Sequence, residues 1–280
     1  MGDPVEDAAR AHARVSMAAL ESLYSTRVAK ERGLEAIALG GTLVLATSAP
    51  DVDLNRVIGL GLFEPAAGLV DRIERLYGRR GVPFSVQLHP GSEPDLPRAL
   101  EAAGLRPDQP WTVLSRGVEA PAPPGAAIRV DAVRSTDDGA RFASLIVRAF
   151  GLPFSQQELF AAPVGRPGWT HYVAYVGDQP AGAAWMHQAD GAVLLGGSGT
   201  LAAWRRRGVQ RALTWRRLAD AAAAGATTAF IETQASWDLD APHELRAAQA
   251  LGFVRAFELA SYVYTRGSRQ RFDDRTGRWR

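Results

Sequence analysis

Apolar positions in the first 119 residues follow helical spacing in some stretches and strand-like spacing in others. The helical stretches are 5–32, 66–80 and 96–103, and the strand-like stretches are 35–39, 42–46, 55–63, 83–88 and 111–118. Gly33 and Gly104 are placed to end the first and third helices. Gly40 and Gly41 separate two short strands and predict a hairpin. The pattern therefore predicts a first region that mixes helices with strands.

The second half repeats this order of elements. We predict strand 128–133, helix 135–150, a short helix near 156–160, strands 171–176, 181–187 and 192–200, a helix to about 222, strand 227–233, helix 243–251 and strand 257–265. A helix, a glycine and then a strand occur both at 96–118 and at 243–265. This parallel indicates a duplication of one domain.

The boundary between the halves is the stretch 120–125, which reads Ala-Pro-Ala-Pro-Pro-Gly. Its prolines favour an extended, unpaired spacer. The chain has 280 residues, which is long for one domain and comfortable for two. We therefore expect an α/β (α+β) protein with domains at 1–119 and 128–265, a linker at 120–127 and a basic, disordered tail at 266–280.

Composition narrows the possible functions mainly by exclusion. No uninterrupted apolar run approaches the ~20 residues that span a bilayer, and the acidic N-terminal segment lacks a secretory signal, so we expect a cytoplasmic protein without a membrane partner. The chain has no cysteine, which excludes disulfides, thiolate metal sites and a cysteine nucleophile. Its histidines are scattered without ligand spacing, so no metal site is indicated.

Basic residues do not by themselves indicate a nucleic-acid partner. The net charge is only +2, and the basic tail also contains Asp273 and Asp274. The arginines concentrate instead in two places, this tail and the segment 204–217. We therefore expect no nucleic-acid partner.

The arginine-rich segment 204–211 follows a strand and a small-residue stretch and leads into a helix. Three arginines, Arg205 to Arg207, precede Gly208 at the start of that helix. Positive charge at a helix N-terminus opposes the helix dipole, at a cost of a few tenths to about 1 kcal/mol for each charge. A bound anion would remove this conflict, because free backbone N–H groups and guanidinium groups together suit a phosphate. The alternative, a solvated basic helix start, fits the turn equally well.

The motif Arg205-x-x-Gly208-x-Gln210, the meander before it, and the later Leu251-Gly252-Phe253 resemble the GCN5-related N-acetyltransferase (GNAT) superfamily. The resemblance covers 128–265. It implies two tandem GNAT-like domains, each a mixed, mostly antiparallel sheet flanked by helices, and an acetyl-CoA cosubstrate. The implied cofactor-binding residues are Gly199, Thr200, Leu201, Arg205, Arg206, Arg207, Gly208, Val209, Gln210 and Arg211.

The first half resembles a degenerate copy of the same domain. Its corresponding turn, 63–68, has no arginine, carries the carboxylate of Glu64 and lacks an N–H donor at Pro65. We therefore expect one coenzyme A site per chain, in the second half.

The catalytic groups that this superfamily often uses are missing from their usual places. The position that often holds a tyrosine acid is Ala248, and the strand 193–200 contains no carboxylate base. The remaining candidates for catalysis are Glu232, Tyr172 and His187, each of which also fits an ordinary structural role. Alignment of an already neutral amine with the thioester is the competing mechanism.

The resemblance implies an N-acetyltransferase that acts on a small-molecule or peptide amine. The sequence does not distinguish the acceptor, acetyl from a longer acyl donor, or a monomer from a homodimer. A non-catalytic acyl-CoA-binding module or sensor is the alternative, because the usual acid and base are absent.

Overall fold

The computed structural model describes residues 2–119, 128–234 and 248–265, together with the backbone of 272–273 and 278–279. Helices α1 to α7 are Pro4–Tyr24, Arg27–Glu31, Leu69–Arg80, Leu96–Ala102, Thr136–Phe150, Gln157–Ala161 and Val209–Ala223. Strands β1 to β13 are Glu35–Leu39, Thr42–Ala46, Arg56–Ile58, Phe84–Leu88, Arg106–Gly117, Ile128–Ala132, Trp169–Val176, Gln179–Ala189, Ala192–Thr200, Thr228–Thr233, Val254–Tyr264, Phe272–Asp273 and Arg278–Trp279.

Strands β1 to β11 form one sheet in the order β1-β2-β3-β4-β11-β5-β10-β9-β8-β7-β6. Two neighbouring pairs, β3 with β4 and β9 with β10, are parallel, and the other pairs are antiparallel. The predicted mixed, mostly antiparallel α/β architecture is confirmed.

The expectation of a separate sheet for each half needs correction, because the last strand of each half lies inside the sheet of the other half. Strand β11 lies between β4 and β5, and β5 lies between β11 and β10. Each exchanged strand therefore forms its backbone hydrogen bonds with strands of the other half, β11 with β4 and β5, and β5 with β10 and β11. Residues 120–127 of the expected linker lie outside the described residues, and the proposed division into domains stays a prediction.

Local capping explains where several helices differ from the predicted bounds. The stretch 5–32 forms two helices because Thr26 interrupts it and caps α2, accepting a hydrogen bond from the Ala29 N–H. Ser135 caps α5 in the same way through the Asp138 N–H. The predicted helix 243–251 is described only at 248–250, since 235–247 lie outside the described residues.

Alternation along the central strands sends side chains to two apolar layers. Leu194 and Phe230 pack with Val15 of α1 on one face, and Leu195 packs with Leu213 of α7 on the other. Helix α5 packs through Phe142 and its neighbours on the same face of the sheet as α1. Helix α3 packs on the opposite face of the sheet, in the first half. Among the helices of the described ranges, none is both long enough and apolar enough to cross a membrane.

The tail predicted to be disordered contains the two-residue strands β12 and β13, which pair antiparallel. Its other residues, 266–271, 274–277 and 280, lie outside the described part of the chain. The prediction of disorder therefore stays a prediction.

Candidate functional site

The parallel strands β9 and β10 separate and leave a cleft. Their pairing ends at Leu194 and Phe230, although β9 continues to Thr200 and β10 continues to Thr233. The space between the diverging strands has a volume of about 380 Å³, and we call it the β9/β10 crevice. Its lining residues are Trp111, Leu114, Phe150, Trp185, Leu194, Leu195, Gly196, Gly197, Ser198, Gln210, Thr214, Arg217, Ile231, Glu232, Thr233 and Ala248.

The bend of β9 away from β10 depends on two glycines that lie against the Trp185 indole. A Cβ atom at Gly196 would lie 2.1 Å from the indole, and one at Gly197 would lie 2.2 Å from it. Gly197 also has a positive φ of 50°. The pairing of β8 with β9 shifts register at this point. A side chain at either glycine would therefore displace the tryptophan and close or distort the crevice.

Arg217 of α7 stabilises the same bend of β9 from the face of the sheet opposite the Trp185 indole. Its side chain is 1% exposed, and its N–H groups donate to main-chain and hydroxyl oxygens. The acceptors are Leu213 O, Trp185 O, Gly196 O, Ser198 Oγ and Thr214 Oγ1. Burial lowers the pKa of Arg217 to about 10, so the guanidinium remains charged at neutral pH. Arg217 thus fixes β9 to α7 by hydrogen bonds.

The start of α7 lies beside the crevice and has the features of an anion site. Gly208 is the residue before the helix, has a φ of 87° and provides no side-chain cap. Arg206 also has a positive φ, 61°, which is uncommon for a residue with a side chain. The first N–H groups of a helix have no acceptor within it. Uncapped N–H groups beside exposed Arg205, Arg206 and Arg207 fit the phosphates of coenzyme A.

The other predicted cofactor-binding residues surround this helix start. Gln210 lines the crevice, Val209 is buried and Arg211 is exposed. Thr200 ends β9, and its Oγ1 is buried without a hydrogen-bond partner in the part of the chain that the structure describes. A buried hydroxyl without a partner is costly, so it fits a ligand that would supply one.

Two further predicted cofactor-binding residues lie at the end of β9 and just after it. Gly199 approaches α5 so closely that a Cβ atom would lie 2.7 Å from Ala149 Cβ. Leu201 packs with the apolar cluster beneath α5. Both residues therefore fix the backbone path toward the start of α7.

Glu232 projects from β10 toward α1 and lines the crevice. Its Oε1 lies 2.9 Å from His12 Nε2 and accepts a hydrogen bond from Ser16 Oγ at 3.1 Å. Burial alone would raise the pKa of Glu232. The hydrogen bond and charge of His12, the charge of Arg56 and the Ser16 hydrogen bond together outweigh burial and lower the pKa to about 2.

The residues around Glu232 extend the site into the first half of the chain. His12 Nδ1 lies 3.1 Å from His89 Nε2, so a buried series of polar groups joins His89, His12, Glu232 and Ser16. Burial, followed by the charge of His12, lowers the pKa of His89 to about 3 despite the opposing effect of Glu232. His12, Ser16 and His89 were not predicted as site residues. The available signal was the spacing of His12 and Ser16, four residues apart on one face of a predicted helix.

The other two catalytic candidates lie away from the crevice. Tyr172 faces α7, and its hydroxyl donates to Asp220 Oδ2 at 2.9 Å. Burial and then the Asp220 carboxylate raise the Tyr172 pKa, which makes it a poor proton donor. His187 packs edge-on against Trp169 with ring centroids 5.0 Å apart, and burial lowers its pKa to about 4. The structure therefore brings only Glu232 of the three candidates to the crevice.

Comparison with known proteins identifies the domain that contains β9 and the start of α7. Residues 126–230 match the family model described as an acetyltransferase (GNAT) domain. No curated protein matches the chain.

Solved structures with similar folds extend the likeness to both halves. A GCN5-related N-acetyltransferase from Kribbella flavida is 19% identical, with a TM-score of 0.65 over 91% of this chain and 96% of that one. One from Sphaerobacter thermophilus is 17% identical, with a TM-score of 0.60 over 94% and 93%. A tandem GNAT protein from the clavulanic acid biosynthesis pathway is 16% identical, with a TM-score of 0.55 over 91% and 95%. The family match assigns residues 126–230 to an acetyltransferase (GNAT) domain, and the solved structures show that the chain as a whole shares their fold.

Proposed function

We propose that this protein transfers an acetyl group from acetyl-CoA to an amine that binds in the β9/β10 crevice. The observation that carries this proposal is one continuous site, in which a cationic, uncapped helix start adjoins a crevice with a carboxylate in its wall. The helix start suits the phosphates of the donor, and the carboxylate suits the amine of the acceptor.

On the donor side, the first turn of α7 supplies backbone N–H groups and Arg205 to Arg207 supply positive charge. We propose that these groups hold the pyrophosphate, while the bent part of β9 directs the acyl end into the crevice. Of the predicted residues, Gly208 has the most direct role, because only a residue without a side chain adopts its φ at no cost and lets a phosphate approach.

On the acceptor side, we propose that Glu232 holds and orients the amine. In the reaction the amine nitrogen bonds to the thioester carbonyl carbon, the C–S bond breaks, the amine loses a proton and the sulfur gains one. A carboxylate with a pKa of about 2 binds a proton weakly, so Glu232 is a weak general base. This low pKa favours alignment of a neutral amine over proton abstraction by Glu232.

A non-catalytic acyl-CoA-binding protein is the second candidate function. The observation in its favour is that Ala248 lines the crevice at the position where the superfamily often has a tyrosine acid. An alanine has no proton to give to the departing sulfur.

Two measurements on the purified chain test these candidates. Calorimetry with acetyl-CoA tests binding, and release of free thiol from acetyl-CoA in the presence of a panel of amines tests transfer. We expect one site per chain and amine-dependent thiol release. Binding without release for any amine would overturn the enzyme in favour of the binding protein.

The pH dependence of thiol release separates the two roles of Glu232. If Glu232 only orients the amine, Glu232→Gln raises the KM for the amine and the rate still rises with pH as the free amine loses its proton. If Glu232 is the base, Glu232→Gln lowers turnover by roughly 100-fold or more and removes the acidic limb.

A further inference from the structure

The side chains of the β9/β10 crevice carry information about the acceptor, and an inference from them rests on the proposed function. We infer that the acceptor is a primary amine with one basic nitrogen and a flat apolar body, that is, an arylalkylamine. Two independent features of the crevice, its walls and its charges, point to this class.

The walls of the crevice on the side of Glu232 are aromatic and aliphatic. Trp111 of β5 and Trp185 of β8 line it with Leu194, and Phe150 at the end of α5 lines it too. Phe150 is 46% exposed, although a phenylalanine gains free energy when water is excluded from its ring. Aromatic rings favour stacked or edge-on contact with another ring. A flat apolar ligand would therefore cover surfaces that the chain leaves open.

Among the described residues that line the crevice, two are charged, Arg217 and Glu232. The first of these has all its donors in use. Arg217 has five N–H donors, and protein oxygens accept a hydrogen bond from each group that carries them. Arg217 therefore offers no donor to a ligand. Glu232 receives both His12 and Ser16 on Oε1, so its Oε2 is the oxygen that remains for an amine.

Among the described lining residues, the one remaining carboxylate oxygen suits one basic nitrogen of a ligand. A polyamine or an aminoglycoside carries several cations and many hydroxyl or amine groups, each of which needs a partner once it leaves water. Apolar walls leave such groups unpaired, which is how a site rejects a ligand of the wrong polarity. A carboxylate at the end of an aromatic cleft instead matches an amine on a short chain attached to a ring.

The test compares kcat/KM for tryptamine and phenethylamine with kcat/KM for spermidine and kanamycin, measured by thiol release at saturating acetyl-CoA. Calorimetry of tryptamine in the presence of coenzyme A gives a readout that needs no turnover. We expect the arylalkylamines to exceed the polycations by roughly tenfold or more. Preference for spermidine or kanamycin would overturn the inference and leave the proposed function standing.

Substitution of Trp111 assigns the preference to the crevice wall. We expect Trp111→Ala to lower kcat/KM and affinity for tryptamine roughly tenfold while changing the values for ethylamine less than twofold. Trp111→Phe, which keeps a ring, should restore most of the loss and shows that the strand still folds. Phe154→Ala is the matched control, because Phe154 is 74% exposed and does not line the crevice.

The outcomes separate the two proposals. Tryptamine that binds in a Trp111-dependent way without thiol release supports the inference about the ligand and overturns acetyl transfer to it. Tryptamine that neither binds nor reacts overturns the inference. A preference for tryptamine that survives Trp111→Ala unchanged also overturns it, because the wall would then have no part in selection.

Discussion

The two halves of this protein contain the same arrangement of two parallel strands joined by a helix, but only one half leaves an open cleft between its strands. Strands β3 and β4 and helix α3 correspond to β9, β10 and α7. Both helices begin after a glycine in the left-handed conformation without a side-chain cap, Gly68 with a φ of 72° and Gly208 with a φ of 87°. The backbone alone therefore does not decide which half binds an anion.

Side chains near the two helix starts explain why we expect an anion to bind at α7 and not at α3. Just before α3, Glu93 Oε1 accepts a hydrogen bond from the Ala66 N–H at 3.2 Å. A carboxylate of the chain therefore already uses an N–H group that a bound anion would need. The Glu93 N–H also donates to Gly61 O, and Leu96 lies where a Cβ atom at Gly61 would be only 2.6 Å away. The segment after β4 thus closes the first half. The segment before α7 instead contains three arginines, Arg205 to Arg207.

The open ends of the two strand pairs differ as well. Two residues beyond the last parallel pair stand His89 in the first half and Glu232 in the second. His12 of α1 lies between them and contacts both. Side chains of the first half therefore help to form the wall of the crevice in the second half, and we propose that the first half itself holds no coenzyme A. Four predictions test this, in order of decreasing effect.

Residues 126–265 expressed alone should be largely insoluble. Strand β5 lies between β10 and β11, so removing the first half leaves two strands without their shared partner and exposes their edges. Coexpression with residues 1–119 should restore soluble protein. A monomeric, active fragment would show that the halves are independent domains. Yield of soluble protein and size-exclusion chromatography measure the outcome.

Gly208→Asp should weaken acetyl-CoA binding by roughly 100-fold or more, because it places a carboxylate where phosphate would bind. Gly68→Asp is the matched control at the start of α3 and should leave binding unchanged. Gly208→Ala separates the effect of backbone strain from the effect of charge. Its Cβ would lie 3.6 Å from Ile128, the nearest described residue, so only the positive φ disfavours the alanine. Calorimetry measures all three, and a second site per chain would contradict the closed first half.

The free energy of unfolding should fall in acid over two overlapping pH ranges that begin at different pH values. His89 has a pKa of about 3 in the folded chain against 6.5 ordinarily, so the unfolded chain binds the extra proton and stability falls as pH drops below 6.5. Glu232 has a pKa of about 2 against 4.5, so its contribution is complete above 4.5 and is lost between 4.5 and 2. Within its range, each group changes the free energy of unfolding by about 1.4 kcal/mol per pH unit.

Urea denaturation across these pH ranges assigns them to the two groups. His89→Gln should reduce the slope of the unfolding free energy against pH below pH 6.5, because one proton fewer is taken up on unfolding. Glu232→Gln should reduce this slope only below pH 4.5. Burial also lowers the pKa of His171 and of His187, each to about 4, so a slope remains in the upper range for His89→Gln. Identical profiles for the two variants would contradict this assignment.

His12→Gln should lower the free energy of unfolding by about 1.5–3 kcal/mol at neutral pH, because it removes a hydrogen-bonded partner of a buried carboxylate. It should also raise the pKa of Glu232, since burial would then act without the opposing effect of His12. Ser16→Ala, which removes only the 3.1 Å hydrogen bond, should have a smaller effect. Carboxyl NMR of Glu232 measures the pKa, and an unchanged value would show that His12 does not support it.

Much of the fold followed from local patterns. The strand Ala192–Thr200 and the arginine-glycine start of α7 both lie where the sequence predicts them. Periodicity and turn glycines act over a few residues, so the sequence carries them directly. The departure of Ala248 from the superfamily pattern is also visible in the sequence alone, and the structure puts that alanine in the wall of the crevice.

Other features depend on contacts between residues far apart in the chain. The exchange of β5 and β11 joins two halves into one sheet, and no local pattern distinguishes a strand that pairs within its own half from one that pairs outside it. His12 lies 220 positions before Glu232, and only packing of α1 across the central strands brings its imidazole within 2.9 Å of the carboxylate. The sequence determined the elements and the cationic helix start, whereas tertiary structure decided which groups surround the crevice, because pairing and burial act through space.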